Sequence, residues 1–260
     1  MNKHINWQSS IFVIVSFIVA VYGKRHFVRL FDIHIDSLEW RIVHHYLWWF
    51  IPLLVCCIIL FGFKSIPKEL GLSASMQKGF IYAFLFTVPM LIGYAIFGQI
   101  NEDENILSLL RTSLLPGFME ELLFRGFLFG LLFRKFGWGF IPAGMIAALI
   151  FGFQHLYQGD NFIHSLGVFG VTFIGALWFA WLYIEWEENL WLVIFLHTLM
   201  NLYWGLFNIS ETGALGGQEA NIFRAITITI TVIATIRLCK NNKHFAINRD
   251  TLWINKASIH

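Results

Sequence analysis

The sequence has few charged residues for its length. Only 13% of its 260 residues are Asp, Glu, Lys or Arg, whereas 57% are apolar and 18% are aromatic. Soluble domains usually carry about a quarter charged residues, so this composition excludes an ordinary soluble domain and predicts an integral membrane protein. The formal net charge is only +2. Without a basic stripe, no nucleic-acid partner is expected.

Cysteine is also scarce, and the three that occur do not form a disulfide pattern. Cys56 and Cys57 are adjacent within an apolar run, and Cys239 lies near the end of the chain. Such spacing predicts no disulfide framework. We expect all three to behave as small apolar side chains. No segment has the length or composition of a linker between two soluble domains. The sequence therefore predicts one helical membrane domain.

Long apolar runs dominate what remains. A helix needs about 20 apolar residues to cross the hydrocarbon core of a bilayer. The sequence predicts eight such spans, near 7–23, 46–63, 79–98, 114–133, 138–155, 162–184, 190–208 and 221–239. The first is expected to be a retained anchor, because no small-x-small cleavage site precedes Lys24. The predicted fold class is therefore all-α, a polytopic membrane protein of about eight helices.

Loop charges predict an orientation for these spans. With eight crossings, both termini and three alternate loops share one side, which collects eleven Lys and Arg residues against six on the other. Positively charged loops favour the cytoplasm, so both termini are expected there. The segment 24–45 opposes this trend, and its residues suggest an amphipathic helix lying on the membrane surface.

Three charges lie inside the fourth predicted span, in Glu120-Glu121-Leu122-Leu123-Phe124-Arg125. A charge at this depth costs at least about 2.5 kcal/mol, so such residues are usually functional. Glu121 and Arg125 are four residues apart and can pair on one helical face. Glu120 points roughly 100° away from Glu121 and has no local partner. The pattern predicts a site in which the Glu121–Arg125 pair has a supporting role and the unpaired Glu120 carboxylate is free to react.

Two later spans add further polar residues. His155 ends the fifth span, and His197 and Asn201 lie four apart on one face of the seventh. His197 and Asn201 could simply hydrogen-bond neighbouring helices, and His155 could simply be an interfacial residue. Taken with the two glutamates and Arg125, however, they predict a polar cavity inside the bundle. Carboxylate, imidazole and amide groups can activate a water and stabilise an oxyanion.

These motifs resemble those of a known family. Glu-Glu-x-x-x-Arg at 120–125, Phe-x-x-x-His at 151–155 and His-x-x-x-Asn at 197–201 occur in this order. The trio is similar to that of the CAAX-prenyl-endopeptidase and bacteriocin-processing (CPBP, or Abi) family of intramembrane proteases. The resemblance implies eight helices around a cavity and hydrolysis of a peptide bond at the membrane. It divides the chain into N-terminal spans (1–106), a catalytic core (107–208), and a last span with a cytoplasmic tail (209–260).

The resemblance also implies roles for the six polar residues. Glu120 matches the glutamate that activates water, with His155 assisting, while His197 and Asn201 match the oxyanion-stabilising pair. Glu121 and Arg125 match supporting positions. Members of the family have been described both as metalloproteases and as metal-independent glutamate proteases. Glu120, His155 and His197 would be the ligands of a zinc ion, if one is bound. The Asn201 carboxamide is a poor zinc ligand, so it favours the mechanism in which glutamate activates the water and no cofactor is required.

Other functions remain open at this stage. A non-catalytic scaffold or immunity protein could keep the fold for binding, and intramembrane Glu and His also build ion-coupled transporters. No inverted repeat supports the transporter. The expected partners are the bilayer and a peptide or protein substrate, either prenylated or bacteriocin-like, between which the residues do not select. A bacterial plasma membrane is the expected location.

Overall fold

The described residues form a bundle of long helices. The computed structural model describes residues 5–30, 37–210 and 213–256, and within these ranges its only β-type pairing is one isolated bridge between Trp138 and Ile254. This confirms the predicted all-α class. We number the long helical stretches α1 Trp7–Leu30, α2 Leu38–Phe61, α3 Met76–Phe97, α4 106–135, α5 Phe140–Gln154, α6 Phe162–Glu185, α7 Leu190–Phe207 and α8 Gln218–Asn241.

Seven of these helices in the described chain are long and apolar enough to cross a membrane, and α4 is the exception. Helix α4 covers the predicted span 114–133 and contains Glu120, Glu121 and Arg125. It is also irregular, because Leu110–Leu114 and Leu122–Phe129 form π-helical turns. Such turns are frequent at functional sites.

Helix α4 lies in the centre of the bundle. Every residue from 121 to 133 is buried. The ring of Phe124 packs edge-on against Phe17 of α1 at 5.1 Å and against Phe151 of α5 at 5.0 Å. A helix with buried charges is therefore enclosed by other helices, which spares its ionised side chains direct contact with lipid.

Successive helices alternate in direction and define two sides of the molecule. The loop residues 98–105, 155–161, 208–210 and 213–217 lie on what we call the mouth side. There the Gln99 N–H donates to the Phe207 carbonyl at 2.9 Å, joining the ends of α3 and α7. The first and last described residues lie on the opposite, tail side, where the Asn6 N–H donates to the Phe136 carbonyl at 3.1 Å. That the tail side is cytoplasmic stays a prediction.

The predicted surface segment 24–45 joins the first two helices. Residues 24–30 complete α1, and 38–45 form the first turns of α2, whose N-terminus is capped by Ser37. Residues 31–36 of the segment lie outside the described residues. The described parts thus continue two spanning helices, and no separate helix is seen among them. The surface location of the segment remains a prediction.

The segment after α8 folds back onto the bundle on the tail side. Carbonyls of residues 251–253 accept hydrogen bonds from the N–H groups of residues 140, 141 and 139 at 2.8, 2.9 and 3.1 Å. These bonds satisfy donors at the start of α5 that a helix leaves unpaired. The buried Glu185 carboxylate accepts further bonds from the N–H groups of Ala246 and Ile247, both at 3.0 Å. The predicted tail is therefore a packed part of the fold.

Candidate active site

Glu121 is the polar centre of the buried part of the site. Its side chain is fully buried, and its Oε1 accepts a hydrogen bond from the Arg125 guanidinium at 3.0 Å. The pair that the spacing predicts therefore forms. The same oxygen lies 2.7 Å from Nδ1 of His197 on α7. Glu121 thus joins α4 to α7, a contact that the sequence alone did not predict.

Arg125 is enclosed by aromatic rings as well as by its carboxylate partner. Only 2% of the residue is exposed. Its guanidinium carbon lies 4.6 Å from the ring centre of Phe151 and 5.3 Å from that of Phe179. Cation–π contacts of this kind are stronger away from water. Arg125 and Glu121 together form a buried ion pair that fixes the centre of α4.

His155 is oriented by the backbone of its own helix. Its Nδ1 lies 2.7 Å from the carbonyl oxygen of Phe151, which can only accept a hydrogen bond. We therefore assign the proton of the neutral ring to Nδ1. Nε2 then carries the free lone pair. The Phe151 ring also packs against the imidazole with 4.4 Å between ring centres. His155 is thus held in a form that can accept a proton.

His197 is oriented by Glu121 instead. Its Nδ1–H donates to the carboxylate, which leaves Nε2 available on the other side of the ring. Asn201 lies one turn further along α7. Its amide is 3.5 Å from the Thr112 carbonyl, the long limit of a hydrogen bond, so the amide remains available to another partner.

Five of the six predicted site residues line one cavity of about 790 Å³, namely Glu120, Arg125, His155, His197 and Asn201. They come from α4, from the C-terminal cap of α5 and from α7. Glu120 is half-buried, and its Oε2 is buried without a hydrogen-bond partner among the described protein groups. Glu121, the sixth residue, is fully buried and reaches the site through His197. Among the described residues, Glu121 therefore has a charged partner and Glu120 has none, as the sequence predicted.

The cavity also has walls that the sequence analysis did not assign. Glu104, Gln158 and Arg224 line it on the mouth side, together with Gly213 and Ala214. In the sequence, Glu104 and Gln158 belong to polar segments that mark span boundaries, and Arg224 starts the last span. Only the folded chain brings these boundary residues to one cavity.

Close packing of α4 and α7 sets the position of His197. A methyl group on Gly117 would clash with the Thr198 hydroxyl and lie 2.9 Å from the Thr198 backbone nitrogen. Gly117→Ala should therefore displace the turn that carries His197. We expect kcat of the reaction that uses His197 to fall by about tenfold to a hundredfold, since small misplacements of catalytic groups are this costly.

The matched control is Gly170→Ala on α6, where an added methyl group meets no atom within 4 Å. Its kcat should equal that of the unmodified protein, with both variants assayed on the same peptide. Equal kcat values for the two alanine variants would contradict the proposed role of the Gly117–Thr198 contact.

The residues present were also compared with a zinc centre. Among the residues that the structure describes, no three His, Cys, Asp or Glu side chains are grouped closely enough to hold one metal ion. The alternative set of Glu120, His155 and His197 therefore does not assemble as a three-ligand site in this arrangement.

The second double glutamate in the sequence, Glu187-Glu188, lies far from these residues in the fold. It occupies the turn between α6 and α7 on the tail side, and Glu188 forms an ion pair with Arg134. The pairing with Arg134 gives it a specific place in the packing of that turn.

The comparison with protein families agrees with the geometry. Residues 102–203 match the family described as type II CAAX prenyl endopeptidase Rce1-like. This segment contains all six predicted site residues. No curated protein matches the chain. This match over residues 102–203 confirms the resemblance of the motifs to this family.

Proposed function

We propose that this protein is an intramembrane endopeptidase that hydrolyses a peptide bond with a water activated by Glu120 and His155. Glu120, His155, His197 and Asn201 line a single cavity, in which the Glu120 Oε2 has no hydrogen-bond partner among the described protein groups. The family match supports an endopeptidase of the CAAX-protease type.

Activation of the water needs a base beside it. In the proposed reaction the Glu120 carboxylate accepts one proton of the water, and the His155 Nε2 lone pair accepts a hydrogen bond from the other. The water oxygen then attacks the carbonyl carbon of the scissile peptide bond. General bases of this kind contribute about 10²–10⁴ in rate.

The attack places a negative charge on the former carbonyl oxygen. The proposed donors to this oxyanion are the amide of Asn201 and the Nε2–H of a doubly protonated His197, whose Nδ1–H is held by Glu121. The Glu121 carboxylate also stabilises the positive charge that His197 would carry when both of its ring nitrogens hold protons. Preorganised donors of this kind act most strongly where water is excluded.

Breakdown of the intermediate completes the reaction. Protonated Glu120 returns its proton to the departing amide nitrogen, the C–N bond breaks, and the products are a carboxylic acid and an amine. The water supplies the OH group that the acid gains and, through Glu120, the proton that the amine gains. Glu120 therefore acts first as a base and then as an acid.

The proposed substrate is a peptide or protein segment presented at the membrane. Both substrate types that the family name covers, prenylated CAAX proteins and bacteriocin-like peptides, would present a peptide bond to such a cavity. The geometry of the four side chains concerns the bond that is cleaved. It favours neither type.

His155→Ala tests this function against a purely binding role. We expect kcat for a cleaved peptide to fall by about 100-fold or more, because the base loses its partner at the water. His244→Ala, at an exposed position on the tail side, is the control and should keep full activity. Membrane insertion of both variants should be normal. Undiminished cleavage by His155→Ala would refute the assigned role and leave a scaffold or immunity function as the better explanation.

A further inference from the structure

A second carboxylate, Glu104, lines the same cavity and takes no part in the hydrolysis proposed above. It lies on the mouth side, just before α4. Its Oε2 is buried and has no hydrogen-bond partner among the described protein groups. Carboxylate oxygens removed from water are stable only when a donor or a cation meets them. A carboxylate of this kind on a cavity wall indicates a site that a ligand completes.

The backbone around Glu104 is firmly anchored. The Asn101 N–H donates to the Leu206 carbonyl at 2.9 Å, and the Asn101 side chain donates to the Gly205 carbonyl at 3.2 Å. On the other side, Asn105 caps the first turn of α4 with a hydrogen bond of 2.9 Å. Glu104 is therefore presented to the cavity by a loop held at both ends, as a binding residue must be.

The two arginine side chains that line the cavity already have hydrogen-bond or ion-pair partners. Arg125 pairs with Glu121. The Arg224 guanidinium donates to the Ala214 carbonyl at 2.7 Å and to a second carbonyl beside it. Among the described residues, no ion pair brings a positive charge to the Glu104 carboxylate.

We propose that Glu104 binds a basic side chain of the substrate, Lys or Arg, and so determines which peptides are cleaved. The inference rests on the proposed endopeptidase function. An ionised donor and acceptor form a stronger and more selective hydrogen bond than a neutral pair. A lysine or arginine of the peptide that lies beside Glu104 would neutralise the charge of its carboxylate.

The fold also sets where that basic residue lies in the substrate. Between residue 106 and Glu120 the helix rises by roughly 20 Å, at about 1.5 Å per residue. An extended peptide covers the same distance in about six residues. A substrate that runs from the scissile bond at Glu120 toward the mouth side would therefore place its basic residue about six positions from that bond.

A lysine scan tests this assignment. Fluorescein-labelled peptides of alanine, leucine and serine, each with one lysine at a different position, are assayed for binding and for kcat/KM with the full chain in lipid nanodiscs. The same set is made with glutamine or glutamate in place of lysine. The proteins compared are the unmodified chain, Glu104→Gln and Glu104→Lys, with Glu102→Gln in the same loop as the control.

We expect about a tenfold preference for lysine over glutamine near the sixth position, in binding and in kcat/KM. Glu104→Gln should lose the preference and bind the glutamine peptide as the unmodified chain does. Glu104→Lys should prefer glutamate, and Glu102→Gln should change nothing. A lysine preference that survives Glu104→Gln, or equal binding of all peptides by the unmodified chain, overturns the assignment. Failure of every peptide to be cleaved would count against the proposed hydrolysis, whereas the binding comparison would still decide the role of Glu104.

Discussion

Glu120→Gln is expected to lower kcat of peptide cleavage by about 10³-fold, because the amide keeps the shape of the side chain but cannot accept the proton of the attacking water. The Glu120 Oε2 has no protein partner among the described groups, so the substitution breaks no hydrogen bond that holds the fold. Binding of the substrate should change little. The measurement is single-turnover cleavage of a reporter peptide by the purified variant.

Two comparisons make the result specific to Glu120. Glu102→Gln removes an exposed carboxylate on the mouth side and should cleave at the normal rate. The midpoint of thermal unfolding should be the same for both variants within a few degrees. Cleavage by Glu120→Gln at the rate of Glu102→Gln would show that the carboxylate is not the base.

Glu121→Gln is expected to lower both the free energy of unfolding and the rate of peptide cleavage. The substitution leaves the Arg125 guanidinium buried without a carboxylate, and breaking a buried pair in this way costs about 3–5 kcal/mol of the free energy of unfolding. It also removes the acceptor that orients the His197 ring. We expect a clear fall in the unfolding midpoint in detergent and a loss of cleavage.

A double variant separates these two effects. Glu121→Gln with Arg125→Met replaces the ion pair by uncharged side chains, and such replacements of buried pairs are often neutral or stabilising. The unfolding midpoint should therefore recover. Cleavage should stay low, because His197 still lacks its carboxylate. Recovery of full activity along with stability would mean that Glu121 serves the fold alone.

The local arrangement of α4 was predictable because it depends on sequence spacing. Residues four apart on a helix share a face, which is why Glu121 and Arg125 pair as expected. Glu120, on a different face, points to the cavity. The positions of the spans were predictable for a similar reason, since the length of an apolar run reflects the thickness of the bilayer.

Contacts between distant segments were not predictable in this way. His197 meets Glu121 across 76 residues, and no periodicity connects the two positions. The same holds for Glu104, whose polar loop is typical of a span boundary. A boundary residue becomes part of a site only when loops from several helices meet, and their meeting depends on the tertiary packing. The π-helical turns of α4 also left no sequence signal.

Dependence of cleavage on zinc distinguishes hydrolysis by Glu120 and its neighbouring side chains from hydrolysis at a bound metal ion. The purified chain and Glu120→Gln are stripped of metal with a chelator, analysed for zinc, and assayed for cleavage of the same peptide before and after zinc is returned. We expect full cleavage by the metal-free chain, cleavage about 10³-fold slower by Glu120→Gln, and no effect of zinc on either. Activity that disappears with one stoichiometric zinc and returns with it would refute hydrolysis by the side chains alone.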